Sequence, residues 1–422
     1  MHCTGEGEGQ VCPIDTAGRP ANTWPVSVHE RLDLRSRLDQ PAIQPFRHIL
    51  PLDGMRGLGI GVVIVAHFTA GLSEWAKTRL FGLSLIIDLF FILSGFLITT
   101  LLFEEWSKSG TISMRNFYVR RGLRLLPALA VMLAFVAFLP LFTDLPGKRT
   151  AVEILTAMFY VYPVALIHYQ GSGGTFLDHL WTLSVEEWFY FGWPAFLCFV
   201  GLRPGTSRAL RLMVGMLSAF VIGCFAIRAI GSMDGISRLI YALRPDSLFW
   251  GALLAIFVRK LPDWRTPTVD RAISIIGPLG AIAFWYFLLA NYPRPGGIDD
   301  ETFHNLAFRS WNYRLGIMCA VLHVGWLVLR PKSVAARFLS LRTLVYVGQL
   351  SYAIYLWHQV LFRLYVEHLD VQPHRSLLNM WTVALTIAAI TVVVAVASRR
   401  FVEVPALRLK KRFESVKIPG NT

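Results

Sequence analysis

From residue 53 onward the chain alternates long apolar runs with short polar turns. The runs fall at 53–71, 84–103, 125–142, 151–169, 187–202, 210–231, 243–259, 271–290, 312–330, 343–364 and 377–397. Most have the about 17–25 residues that a helix needs to cross a hydrocarbon core. They are solid rather than alternating, which excludes an outer-membrane barrel, whose strands read as short segments of period two. The pattern predicts an all-α polytopic membrane protein. Residues 1–47 carry no such run: Gly and Pro give way to alternating charges in HERLDLRSRLDQ, and a secretory h-region is missing. They are expected to form a flexible cytoplasmic tail with a short helix near Val28 to Leu38. Residues 48–405 are then one integral-membrane domain, and 406–422 a basic cytoplasmic tail. No internal repeat is evident.

The basic residues set the topology. If every run crossed, the loop with Arg203, Arg208 and Arg211 would face outside, as would Arg259, Lys260 and Arg265, against the positive-inside rule. Letting the run 151–169 enter and leave by one side returns the main basic stretches to the cytoplasm: Lys108 to Arg124, Arg203 to Arg211, Arg259 to Arg271, Arg330 to Arg342 and Arg399 to Arg412. The expectation is about ten transmembrane helices plus a re-entrant segment around 151–186. Both termini are then cytoplasmic in a multi-pass protein of the cell membrane. Irregular backbone at membrane depth survives only against protein or a cavity, so a polar cavity is expected, with Asp178, His179, Glu186 and Glu187 at its edge.

Composition agrees: 54% of the 422 residues are hydrophobic and 16% charged, against about 25% charged in soluble chains. The net charge of +14 sits mostly in short loops, where topology and anionic headgroups account for it without nucleic acid. The five cysteines show no CxxC or metal spacing, and the eleven histidines no HxxxH or HExxH, so neither a disulfide framework nor a metal site is expected. The absence of a GxSxG elbow argues against a serine hydrolase.

The chemistry begins in the first run, LDGMRGLGIGVVIVAHF. His67 lies eleven residues after Arg56, three helical turns plus about 20°, so the two share a face about 16 Å apart along the axis. An ionisable residue at membrane depth costs about 2.5–3.5 kcal/mol on insertion scales unless it faces protein or water. Two on one face point inward, to a polar site.

Further blocks complete a pattern: DLFFILSGFLI from Asp88, YVRRGLRLLPAL from Tyr118, HLWTLSVEEWFYFGWP around Glu186, RPDSLFWGALLA from Arg244, YVGQLSYAIYLWH ending at His358, and FVEVPALRL. In this order they resemble the membrane-bound acyltransferase 3 family, over about residues 48–410. Trp188 stands where that family often has Gln. No SGNH-type hydrolase segment follows the last run, which favours a stand-alone enzyme.

The resemblance implies O-acylation: an acyl group, most often acetyl, passes from acyl-CoA to a hydroxyl of a sugar, lipid-linked glycan or natural product, with no bound cofactor. Acyl transfer needs a base, oxyanion stabilisation and a place for the carrier's phosphates. His67 is the candidate base or covalent acyl relay, with His358 as a second catalytic candidate or a hydrogen-bonded core histidine. Glu186 and Glu187 are catalytic candidates that orient the imidazole or share its proton, or cap the following helix. Arg56, Arg120, Arg121 and Arg124 are candidates for the phosphates, since guanidinium forks match them; topogenic charge is the other reading of the last three. Asp53, His179, Trp181, Ser184, Arg244, Asp246, Ser351 and Tyr352 are substrate-binding or structural candidates. Arg244 with Asp246, and Asp53 with Arg56, read as ion pairs, and Ser94 and Ser184 as small packing residues. The competing class is a transporter or flippase of a glycan or acyl intermediate, although related halves are not visible.

Overall fold

A computed structural model describes residues 49–72, 81–143, 147–163, 176–199, 207–230, 243–260, 265–290, 311–365 and 377–410. The chain divides into Met1–Arg47, which lies outside the described residues, and His48–Thr422. Within the second unit every regular element described is helical: α1 (Leu50–Leu72), α2 (Leu85–Ser109), α3 (Met114–Phe138), α4 (Gly147–Met158), α5 (Trp181–Phe199), α6 (Ser207–Ile230), α7 (Pro245–Lys260), α8 (Pro267–Leu289), α9 (Trp311–Leu329), α10 (Val334–Leu339), α11 (Arg342–Arg363), α12 (Leu377–Ser398) and α13 (Val404–Lys410). Local chemistry sets several ends. Thr266 caps α8 by accepting from the Val269 N–H, with Pro267 at the first position. Gly110 ends α2 at φ 69°, a conformation that glycine adopts without strain.

Among the described residues seven stretches, built on α1, α2, α3, α6, α8, α9 and α12, are long and apolar enough to cross a membrane. The chain is a multi-pass membrane protein. α5 and α11 are 19 and 22 residues long but more polar, and α7 has 16 residues.

Side-chain contacts give each helix a direction. α1 and α11 run parallel: Gly348 packs on Asp53 near their starts, and Phe362 stacks on Phe68 near their ends. α3 runs with them, joined by Tyr352 Oη to the Leu125 carbonyl (2.8 Å) and by Phe135 on Trp357. α5 opposes α3, because Glu187 meets Arg121 and Tyr118 Oη reaches the Phe191 carbonyl. α2 is parallel to α5 through Ser94 to Glu186 and Trp193 to Thr99. It is parallel also to α7, where Asp88 meets Arg244 and Arg259 lies over Phe103. α9 follows α7, α8 opposes α9, α6 opposes α7, and α12 opposes α11. The long helices therefore alternate in direction along the chain.

Two of these pairs approach backbone to backbone. A Cβ on Gly95 would lie 1.9 Å from the Leu248 carbonyl oxygen, and one on Gly348 1.8 Å from that of Asp53. Small residues at such crossings permit the close packing that membrane helices rely on.

α4 stands apart. Its 12 residues span about 18 Å, short of a hydrocarbon core about 30 Å thick. It falls between α3 and α5, where Leu139 near the end of α3 and Leu177 and Leu180 before α5 share one core cluster. Just beyond it Tyr160 turns left-handed, at φ 56°, and its carbonyl accepts from Trp188 Nε1 at 2.8 Å. Residues 164–175, the middle of the expected re-entrant element, lie outside the described residues. So do all but the first part of the basic tail at 406–422 and the helix expected near Val28 to Leu38.

Candidate active site

Parallel packing of α1 on α11 brings His67 to His358, with ring centroids 5.0 Å apart and nearly edge-on. His179, on the 3-10 turn Asp178–Leu180 before α5, adds a third imidazole 5.2 Å from His358. His358 and His179 are buried, and His67 is half-buried. Each ring faces a backbone carbonyl: His67 Nδ1 at 2.9 Å from Val63 O, His358 Nδ1 at 2.6 Å from Tyr355 O, and His179 Nε2 at 3.2 Å from Leu356 O. A carbonyl only accepts, so those nitrogens carry the protons and the opposite ones hold lone pairs. Tyr355 braces the group by donating to the His179 carbonyl and pairing with Thr182 Oγ1 at 2.5 Å. At the rim Arg363 meets Asp178 at 3.5 Å, and both charges act on His67.

The glutamates sit elsewhere. Glu186 accepts from Ser94 Oγ and from Tyr190 Oη at 2.6 Å. Glu187 forms a two-pronged pair with Arg121, whose guanidinium lies 3.2 Å from the centre of the Tyr190 ring. Among the described residues neither carboxylate touches an imidazole. Ser94, expected as a packing residue, is a donor to Glu186, whereas Ser184 bonds within its own helix to Leu180 O.

The arginines divide into paired and unpaired. Arg120 is held by Glu105 at 2.9 Å and Arg121 by Glu187. Arg56 and Arg124 make no ion pair or hydrogen bond among the described residues, so the expected Asp53–Arg56 pair does not form. Arg56 and Arg121 lie close enough for their charges to act on Arg124. Cations gathered this way raise the local positive potential, which favours an anion. Buried Glu403, on the π turn Arg399–Glu403, acts on the same Arg124. This locale is at the Arg56 end of α1, opposite the imidazoles.

Arg244, at φ 48°, meets Asp88 rather than serving only its near neighbour Asp246: its Nη1 donates to Asp88 (3.2 Å), Ser84 O (2.9 Å) and Tyr313 Oη (2.8 Å). Ser247 completes the buried network on Asp88 at 2.6 Å, and Asp246 is buried in the first turn of α7. Trp181 lies between Phe91 and the Arg244 guanidinium, linking this network to the start of α5. Tyr352 bonds to Leu125 O, while Ser351 is half-buried beside it. Asp88 was legible: a carboxylate in a solid apolar run carries the same insertion cost that singled out His67. Tyr355, Thr182 and Tyr190 carried no such signal, because hydroxyls are common in membrane helices.

Residues 49–400 match the family model described as an acyltransferase domain. The chain is 30% identical over 375 residues to the peptidoglycan O-acetyltransferase OatA of Listeria monocytogenes, covering 85% of this chain and 56% of that protein. It is 28% identical over 374 residues to the O-acetyltransferase OatA of Staphylococcus aureus, covering 85% and 57%. The chain thus spans a little over half the length of these curated relatives. No solved structure matches it.

Proposed function

The chain belongs to the acyltransferase 3 family, and from that premise we propose that it moves an acetyl group from acetyl-CoA to a hydroxyl of a cell-envelope glycan, with His67 as the base. Family membership makes it an acyltransferase and sets the transporter alternative aside. The observation that carries the reading is the division of α1: a half-buried imidazole with a free Nε2 near one end, and unpaired Arg56 beside Arg124 near the other.

The phosphates of the donor sit at Arg56 and Arg124, and the pantetheine arm runs along α1 toward His67. The residues between them are eleven positions apart, about 16 Å, a length that arm can span. At His67 the acceptor hydroxyl gives its proton to Nε2 as its oxygen attacks the thioester carbonyl. The C–O bond forms, the C–S bond breaks, and the thiolate takes the proton back from Nε2. Val63 O holds Nδ1–H, which fixes the tautomer this step needs. Glu187 serves Arg121, and Glu186 orders Ser94 and Tyr190. The glycan acceptor is suggested by the relatives' printed activities.

Among the described residues ten long helices of alternating direction support ten crossings with both termini cytoplasmic, and α4 as a part-way element on the far side. Donor phosphates then bind from the cytoplasm and the acceptor meets His67 toward the exterior. The membrane domain extends over 48–405.

The test is acetyl-CoA thioester cleavage by the purified protein in nanodiscs. His67→Ala should lower it by about a hundredfold or more while the protein elutes as wild type. Near-normal turnover would overturn the assignment of His67.

A further inference from the structure

We infer that His358 holds a second hydroxyl of the acceptor beside the one that reacts, and so selects which hydroxyl His67 activates. The inference rests on His67 as the acceptor-facing base. The three imidazoles are held as neutral acceptors, because each has its N–H tied to a backbone carbonyl. None therefore has a proton left to give a neighbouring ring. His358 Nδ1 is folded back on its own helix at Tyr355 O, which leaves Nε2 as the acceptor of a ring whose centroid lies 5.0 Å from that of His67. His358 is fully buried, and Nε2 has no hydrogen-bond partner among the described residues. His179 repeats the pattern with Nδ1. An unsatisfied buried acceptor costs about 1–3 kcal/mol, and its complement is a hydrogen-bond donor.

His67 takes one O–H, and a ring 5.0 Å away offers its lone pair to an O–H on the adjoining carbon. Water would fill the same positions when the acceptor is absent. An isolated alcohol leaves His358 unsatisfied, whereas a neighbouring pair of hydroxyls satisfies both rings. Regiochemistry then follows from which hydroxyl stands beside a donor.

The experiment compares cis-1,2-cyclohexanediol with cyclohexanol as acceptors of labelled acetyl from acetyl-CoA, using the purified full chain in nanodiscs. Wild type should favour the diol in kcat/KM by about tenfold, the worth of one retained hydrogen bond. His358→Phe, which keeps a flat ring without a lone pair, should lose most of that preference. His358→Gln, whose Oε1 accepts, should restore part of it. Equal use of the two alcohols by wild type, or a preference that survives in His358→Phe, overturns the inference. So does rejection of both alcohols while His67-dependent thioester cleavage persists, an outcome that leaves the transferase reading standing. Thioester cleavage independent of His67 instead removes the premise, and the inference falls with it.

Discussion

His67 and Arg124 are both ionisable side chains on long apolar helices, and what separates their roles is the company each keeps. His67 is tied to its own helix at Val63 and faces other imidazoles; Arg124 faces other cations with no acid paired to it among the described residues. The same distinction divides the arginine cluster. Arg120 spends its charge on Glu105 and Arg121 on Glu187, so these two fix helices, whereas Arg124 and Arg56 are available to a ligand. Arg124→Ala should therefore raise KM for acetyl-CoA about tenfold, since charge-assisted hydrogen bonds are worth about 1.5–3 kcal/mol, with a smaller effect on KM for the acceptor. Arg120→Ala should change donor KM by less than about threefold, because its guanidinium is already held by buried Glu105. Steady-state kinetics with each substrate varied in turn decides this, and the reverse ranking would move the phosphate site to the start of α3.

At the scale of elements, helix pairs rather than single helices carry the site. α1 with α11 carries His67 and His358, and α2 with α7 carries the Asp88–Arg244 network. Both crossings depend on glycine at the contact. Gly95→Val places a methyl-bearing Cβ against the Leu248 carbonyl, where only 1.9 Å is available to the Cβ. Overpacking of this kind costs about 1–3 kcal/mol, and here the obstacle is backbone. The variant should melt lower in detergent and lose activity, since adjoining Ser94 holds Glu186. Gly61→Ala, with nothing within 4 Å of the new Cβ, should stay within about 0.5 kcal/mol of wild type. Equal melting of the two would mean that the α2–α7 crossing is not a close one.

Across the whole molecule, the opposed directions of α3 and α5 leave no crossing to the segment between them, where α4 lies. The consequence is testable from outside the cell. In a background without native cysteines, Lys148→Cys in the first turn of α4 and Ser172→Cys after the helix should both react with an impermeant thiol reagent added externally. Lys148 is exposed, which makes it a fair reporter. Labelling of the first from outside and the second only from inside would mean that this segment crosses. His179 would then enter the bundle from the donor side, and the acceptor would need another route to His67.

The helices and the shared face of Arg56 and His67 were determined by the sequence alone, because both follow from local rules. Solid apolar runs of membrane length become helices so that every backbone group is satisfied, and a period of about 100° puts residues eleven apart on one face. The expectation of a skipped crossing at 151–169 rests on related reasoning: positive charge is added up loop by loop along the chain. Partners were not legible. His67 meets His358 and His179, Arg244 meets Asp88, and Glu187 meets Arg121 rather than an imidazole, and each contact joins residues far apart in sequence. Only packing decides these. Glycines on both partners let α1 and α11, and α2 and α7, close to backbone contact, and that closeness determines which buried polar groups can satisfy one another.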